Sequence, residues 1–190
     1  GITTTGSTII TDLDSLSPSI LIYRQELQWL GGMGIVILAL AVLPMLGVGG
    51  MQLYKAESTG PIKDNKISPR IAETAQSLWS IYLGLTIACA ALYYVAGMTA
   101  FDAIAHSFST IAIGGFSTHN MSIGYYNNLY IETICIFFMF ISGVNFSLHF
   151  RAISGDFKIY FRDLEFIAYL LIISFIKLKH DVPSQGFPGK

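Results

Sequence analysis

The chain lacks basic residues over a long central stretch. It contains 190 residues, yet no lysine or arginine occurs between Arg70 and Arg151. Only 12% of the residues are charged and 53% are hydrophobic, which leaves a soluble domain too little polar surface. The composition therefore predicts a membrane protein. Because positive charge is retained on the cytoplasmic side, we expect the basic segments 55–70 and 151–162 to lie inside the cell.

The residues that enzyme chemistry or metal binding would need are also scarce. Cys89 and Cys135 are the two cysteines and fall in separate apolar segments, and the four histidines do not have zinc-ligand spacing. The apolar segments hold no nucleophile next to a base and no paired carboxylates. We therefore expect a protein that is not an enzyme, with no cofactor and no nucleic-acid partner.

Two apolar segments are long enough to span a membrane, and one between them is not. Leu78–Met98 and Tyr130–Phe150 have the roughly 20-residue length that a hydrocarbon core of about 30 Å needs. Thr99–Thr110 predicts a helix of about 11 residues, with Thr99 and Asp102 forming a capping box. At about 1.5 Å per residue this helix crosses about half the bilayer, so the chain must turn around inside the membrane.

The turn is predicted at Ile111–Phe116, where Gly114 and Gly115 permit backbone geometries closed to other residues. Irregular backbone at membrane depth is tolerated only where it is buried in protein or lines an aqueous cavity. Carbonyl oxygens of such a turn can replace the water shell of a cation, and the C-terminal end of the short helix favours positive charge. A Gly-Gly pair can also simply separate two packed helices. Helix length and charge placement favour a re-entrant pore loop.

The same pattern occurs a second time. Matching Thr4-Thr5-Gly6-Ser7 to Ile113-Gly114-Gly115-Phe116 aligns Gly6 with Gly115. In both places a polar stretch follows and then a long apolar segment, which is Ile20–Leu46 in the first copy. Tandem membrane repeats place ion sites at their common interface. The sequence therefore predicts two equivalent loops that contribute to one pore.

Several motifs resemble the Trk-type bacterial potassium uptake proteins. The resemblance covers nearly everything from Gly1 to about Ile176. Its motifs are Leu27-Gln28-Trp29-Leu30-Gly31-Gly32-Met33-Gly34, Leu43-Pro44, Gly47-Val48-Gly49-Gly50-Met51-Gln52-Leu53, Pro69-Arg70-Ile71-Ala72-Glu73-Thr74-Ala75, and His106-Ser107-Phe108-Ser109-Thr110 leading into Gly114-Gly115-Phe116-Ser117-Thr118.

The resemblance implies an all-α membrane protein with tandem repeats, each a membrane helix, a pore helix with its re-entrant filter loop, and a second membrane helix. It implies a fragment with the first filter strand and second membrane helix of repeat one (1–50), a cytoplasmic link (51–77), a complete repeat two (78–150), and a cytoplasmic link with the start of repeat three (151–190). The tail His180–Lys190 is expected to be a loop, or sequence unrelated to the family. The filter residues, which would bind K⁺ through backbone carbonyls, are Thr3, Thr4, Thr5, Gly6, Ala112, Ile113, Gly114 and Gly115.

The resemblance also implies a function and partners. We expect potassium uptake across the bacterial inner membrane by a multi-pass protein in contact with lipid, with symport of protons or sodium left open. A homodimer and a cytosolic nucleotide-binding regulatory subunit are the expected protein partners, and the Lys55–Glu73 link is a candidate contact surface for that subunit or for lipid headgroups. Gly6 favours potassium, since related sodium carriers often have serine there. The alternatives are a sodium-permeable relative and a broken-helix secondary transporter for a small solute.

Polar residues near the predicted loops have ordinary interpretations as well. Arg24 and Glu26 are interpreted as interfacial side chains that extend toward water, with a vestibule charge pair as the alternative. Asp12 and Asp14 are predicted to be external, where they either concentrate cations or are ordinary solvated loop residues.

Overall fold

The computed structural model describes residues 1–34, 69–153, 155 and 157–181. Every regular element in these ranges is helical, as the sequence predicts. They are α1 (Pro18–Trp29), a π-helical turn (Leu30–Gly34), α2 (Pro69–Val95), α3 (Ala100–Ile111), a 3₁₀ turn (Ser122–Tyr126), α4 (Leu129–Ser142), α5 (Phe146–Ile153), a second 3₁₀ turn (Phe157–Ile159) and α6 (Leu164–Asp181).

The helix α2 contains the membrane span that the sequence predicts. Its segment Ala75–Val95 has a mean hydropathy of 1.6 and is the one helix of the described ranges that is long and apolar enough to cross a membrane by itself. The helix ends three residues before the predicted limit at Met98, because Gly97 takes a left-handed conformation (φ 108°) and the Met98 amide turns back to the Tyr93 carbonyl oxygen.

The second predicted span is interrupted. Where the sequence predicts one span over Tyr130–Phe150, α4 ends at Ser142 and α5 begins at Phe146. Asn145 accounts for the break, since its Oδ1 accepts a hydrogen bond from the Ser147 amide at 3.0 Å. This side chain caps a new helix in place of continuing the old one.

The chain divides into two compact units, Gly1–Gly143 and Val144–Lys190. The second unit contains α5 and α6 and has a small core of Val144, Leu148 and Ile159. The helix α6 continues through His180 to Asp181, so the predicted loop does not start at His180, and the rest of the predicted tail lies outside the described residues. Most of the predicted Lys55–Glu73 link, and the inner part of Ile20–Leu46, lie outside the described residues.

The short helix α3 packs among α1, α2 and α4 in the first unit. Trp29 joins three of these helices, because its ring lies 5.1 Å from Trp79, 5.5 Å from Tyr82 and 5.3 Å from Phe108. Its indole N–H also donates to Thr86 Oγ1 on α2 at 3.0 Å. Aromatic pairs of this kind contribute packing area with defined geometry, so α1 is fixed against α2 and α3.

The predicted start of α3 is confirmed. Thr99 Oγ1 accepts from the Asp102 amide at 3.1 Å and donates to Asp102 Oδ2 at 2.8 Å. The helix has 12 residues, close to the predicted 11. Its C-terminal end is therefore about half a bilayer from its start.

After α3 the chain returns along the helix that it has just left. Ser117 Oγ lies 3.0 Å from His106 Nε2, and Thr118 Oγ1 donates to Asp102 Oδ1 at 2.7 Å. His106 Nδ1 faces the Asp102 carbonyl oxygen at 2.9 Å, so Nδ1 carries the proton and Nε2 accepts from Ser117. Residues 112–118 thus form the returning half of a hairpin whose first half is α3.

We expect Asp102→Ala to destabilise this hairpin. The change removes the acceptor of the Thr99 and Thr118 hydroxyl groups, and the buried Thr118 hydroxyl loses its bond to Asp102. The free energy of unfolding should fall by about 2 kcal/mol. The melting temperature of the full-length protein in detergent measures the loss. Glu132→Ala is the matched control, because Glu132 is also in the first turn of a helix but is exposed. Equal melting of the two variants would contradict the role given to Asp102.

Candidate functional site

The candidate site consists of two irregular loops beside the C-terminal end of α3. The second loop leaves α3 through a tight turn in which the Ile113 amide donates to the Thr110 carbonyl oxygen at 3.1 Å and the Gly114 amide to the Ser109 carbonyl oxygen at 2.8 Å. The first loop has a turn of its own, with the Thr4 amide donating to the Gly1 carbonyl oxygen at 2.9 Å.

The two loops share an unusual backbone conformation. Thr4 and Ile113 have φ values of 50° and 52°, and two residues later Gly6 and Gly115 have 72° and 80°. Left-handed conformations are uncommon and cost a residue with a β-carbon about 1–2 kcal/mol. Thr4 aligns with Ile113 and Gly6 with Gly115 in the sequence repeat, so the structure repeats position by position as well.

The two loops also touch each other and α1. A β-carbon on Gly6 would collide with the Gly114 carbonyl oxygen, and one on Gly31 would collide with the backbone of Ile2. The close approach of these backbone segments therefore requires glycine at positions 6 and 31. This explains one glycine of the Leu27–Gly34 motif, because Gly31 lets the π-helical turn after α1 contact the first loop.

The residues predicted to form a filter are thus brought together, four from each loop. Thr3 and Thr5 are hydrogen-bonded to each other through their hydroxyl groups at 2.8 Å. Ile113 and Gly115 are exposed, whereas Gly114 is buried. Ion binding by the eight residues stays a prediction at this point.

Two polar residues of α1 contact the loops, and the sequence interpretation missed both. Gln28 is 0% exposed and bonds the second loop through its Nε2, 2.7 Å from the Gly114 carbonyl oxygen, and its Oε1, 3.1 Å from the Phe116 amide. Arg24 Nη2 donates to Thr8 Oγ1 at 2.9 Å, and the guanidinium lies 4.5 Å from the centre of the Phe116 ring.

Arg24 thereby connects the segments that follow the two loops. These contacts add to the interpretation of Arg24 as an interfacial side chain, since its guanidinium contacts protein groups on both sides. A signal was available in the sequence. Arg24 and Gln28 are four residues apart on one face of an apolar helix, and polar groups inside membrane segments commonly have a specific partner.

The outer segments of the two loops are linked by hydrogen bonds. Asn120 accepts from the Leu13 amide through its Oδ1 at 2.7 Å and donates to Asp12 Oδ1 at 3.2 Å, while His119 Nδ1 lies 2.9 Å from Asp14 Oδ1. Hydrogen bonds from Ser15 and Asn120 hold the pKa of Asp12 below its ordinary value. Asp12 and Asp14, which the sequence predicts to be external, therefore connect the segment after the first loop with the segment after the second.

A cavity of about 260 Å³ lies within this outer region. Residues from both loop segments line it, including Thr8, Thr11, Gly115, Ser117, His119 and Asn120. Within the described ranges, no group of three or more histidine, cysteine, aspartate or glutamate side chains is arranged to hold a metal ion. Most polar groups around the two loops are backbone amides, carbonyls, hydroxyls and amide side chains, and the charged or titratable ones are Asp12, Asp14, Arg24 and His119.

The helix α3 is half the length of a membrane span, the chain after it returns along it, and the apolar spanning helix α2 lies beside it. This arrangement defines a helical membrane protein with a re-entrant loop. Residues 1–177 match the family described as TrkH, cation transport protein. The chain therefore belongs to the TrkH family, whose description is that of a transport protein and not of an enzyme.

Named relatives and a solved structure agree. The chain is 61% identical over 171 residues to the Trk system potassium uptake protein TrkH of Escherichia coli K12, covering 90% of this chain and 35% of that protein. It is 49% identical to the Trk system potassium uptake protein TrkG of the same organism, covering 90% of this chain and 36% of that protein.

The crystal structure of the potassium transporter TrkH from Vibrio parahaemolyticus matches with a TM-score of 0.74 and 53% identity, over 93% of this chain and 35% of that chain. The predicted fold class is thereby confirmed. The chain spans about a third of the length of these relatives.

We expect glycine substitutions in the site to differ in severity. Gly6→Ala should be the most damaging, because its β-carbon meets both a left-handed φ and the Gly114 carbonyl oxygen. Gly115→Ala has open space around the new atom and should cost only the backbone strain of about 1–2 kcal/mol. Melting temperatures of the full-length protein should follow that order.

Gly84→Ala serves as the control for these variants. Gly84 lies in α2, has open space where alanine would add its β-carbon and has no left-handed φ, so alanine should be neutral or stabilising there. Equal melting temperatures of the Gly6→Ala and Gly84→Ala proteins would contradict the contact between the loops.

Proposed function

We propose that this chain is part of the pore-forming subunit of a potassium uptake system in the bacterial inner membrane. In this proposal the two loops are filter strands, and their backbone carbonyls replace part of the water shell of K⁺. The observation that carries the proposal is the matched pair of left-handed positions, Thr4 with Gly6 and Ile113 with Gly115, in loops that touch.

The backbone of the second loop is irregular and follows the end of a helix. Gly114 lies between two left-handed residues and is itself outside the left-handed region. The helix α3 ends where this loop begins, and the C-terminal end of a helix carries partial negative charge. This charge favours a cation over an anion.

The relatives support the choice of ion. The names of the TrkH and TrkG proteins of Escherichia coli describe potassium uptake, and Gly6 occupies the position where related sodium carriers often have serine. An inside-negative membrane potential would supply about 2.3 kcal/mol per 100 mV for each inward charge. We also propose a homodimer with a cytosolic nucleotide-binding regulatory subunit, as in the Trk-type proteins that the chain resembles.

Growth of a potassium-uptake-deficient bacterium at low external K⁺ tests the proposal. The full-length protein that contains this chain should restore growth, and potassium-selective uptake should be measurable in vesicles. Absence of rescue by a protein that is expressed and inserted would contradict potassium uptake and favour a sodium-permeable or small-solute transporter.

Substitution of Gly115 by serine tests the filter. Serine at φ 80° is strained by about 1–2 kcal/mol, and a strand that relaxes this strain moves its carbonyls. We expect the preference for K⁺ over Na⁺ to fall about tenfold, the equivalent of about 1.4 kcal/mol, in competitive uptake assays.

Gly97→Ser is the matched control for this change. Gly97 also has a positive φ, 108°, with open space for a side chain, but it lies in the turn between α2 and α3. Its substitution should cost stability and leave ion preference unchanged. An equal loss of preference in both variants would remove Gly115 from the filter.

A further inference from the structure

We propose that Gln28 is a positioning residue for the second filter loop: from the helix of the first repeat, its side-chain amide fixes the backbone of Gly114–Phe116. The proposal rests on the proposed function, since it concerns the loop assigned there to the filter. Its basis is a set of contacts between α1 and that loop.

The amide of Gln28 uses its donor and its acceptor on one short segment. Its Nε2 donates to the Gly114 carbonyl oxygen at 2.7 Å, and its Oε1 accepts from the Phe116 amide at 3.1 Å. The two bonded groups belong to the two peptide groups that flank the α-carbon of Gly115. Because the side chain is 0% exposed, water does not compete for these bonds, and a lost partner would leave a buried polar group unsatisfied.

Gln28 also explains why glycine occupies position 114. A β-carbon there would collide with the side-chain amide carbon of Gln28, and Nε2 would be 2.8 Å away. Gly114 has no left-handed φ that would itself demand glycine. The two glycines therefore have different causes: Gly115 satisfies the backbone conformation, and Gly114 makes room for Gln28.

The support is rigid because the residue next to Gln28 is anchored. Trp29 packs between α2 and α3, and its carbonyl oxygen accepts from Tyr82 Oη at 2.9 Å. The amide of Gln28 is thus held at a fixed height beside the loop. A displacement of α1 would be transmitted to Gly114 and Phe116 through two hydrogen bonds.

Gln28→Met tests the proposal in the full-length protein reconstituted in liposomes. Methionine has a similar length but cannot make either hydrogen bond. We expect the preference for K⁺ over Na⁺ to fall about tenfold, and hydrogen exchange of the Phe116 amide to become at least tenfold faster. A residue that only stabilised the fold would alter melting without altering ion preference.

Gln25→Met is the matched control. Gln25 lies on the same helix and is also 0% exposed, but no described residue is hydrogen-bonded to its Oε1 or Nε2. Ion preference and Phe116 exchange should stay as in the wild type. Identical behaviour of the Gln28→Met and Gln25→Met proteins would overturn the proposal.

The two proposals can fail separately. If the wild-type protein does not prefer K⁺ over Na⁺, the proposed function fails, while unchanged Phe116 exchange in Gln28→Met would overturn the positioning role alone. If Gln28→Met does not fold, a double-variant cycle decides. Gly114→Ala should be rescued in melting temperature by Gln28→Ala, which vacates the space, and a double variant no more stable than Gly114→Ala would overturn the proposal.

Discussion

Polar backbone at the C-terminal end of α3 has to be satisfied by protein groups, and most of the described arrangement follows from this requirement. A re-entrant loop at membrane depth has neither a helical ladder nor bulk water for its amides and carbonyls. The Gly114 carbonyl and the Phe116 amide find their partner in Gln28, and Ser117 and Thr118 find theirs in His106 and Asp102. Two backbone groups and two hydroxyl groups of this segment are thus bonded by side chains of α1 and α3.

These partners place the returning chain between α3 and α1. His106 and Asp102 hold the returning chain from the side of the short helix, while Gln28 and Arg24 hold it from the side of α1. Trp29 of α1 then fixes the distance between the two helices by packing against Phe108 of α3. Because close-packed interiors transmit displacement, the position of α1 and the conformation of the loop are coupled.

Local chemistry made part of this arrangement predictable. The capping residues Thr99 and Asp102, the length of α3 and the alignment of Gly6 with Gly115 depend on near neighbours in the sequence, and the structure agrees with each. The contacts of Gln28 and Arg24 with Gly114 and Phe116 join residues more than 80 positions apart, so only the packed fold specifies them. The break before α5 could have been found, since Asn145 is a strong helix-capping residue.

The two loops are equivalent in backbone but not in support. Thr5 stands where the second loop has Gly114, and its hydroxyl bonds to Thr3 within the same loop. Thr5 is exposed and its β-carbon has room, whereas Gln28 excludes a β-carbon at Gly114. Ser7 and Phe116, which follow Gly6 and Gly115, differ as well: one is exposed, and the other is buried under the Arg24 guanidinium. The two loops thus share a backbone conformation but differ in the side chains that contact them, so that substitutions at matched positions have different physical consequences.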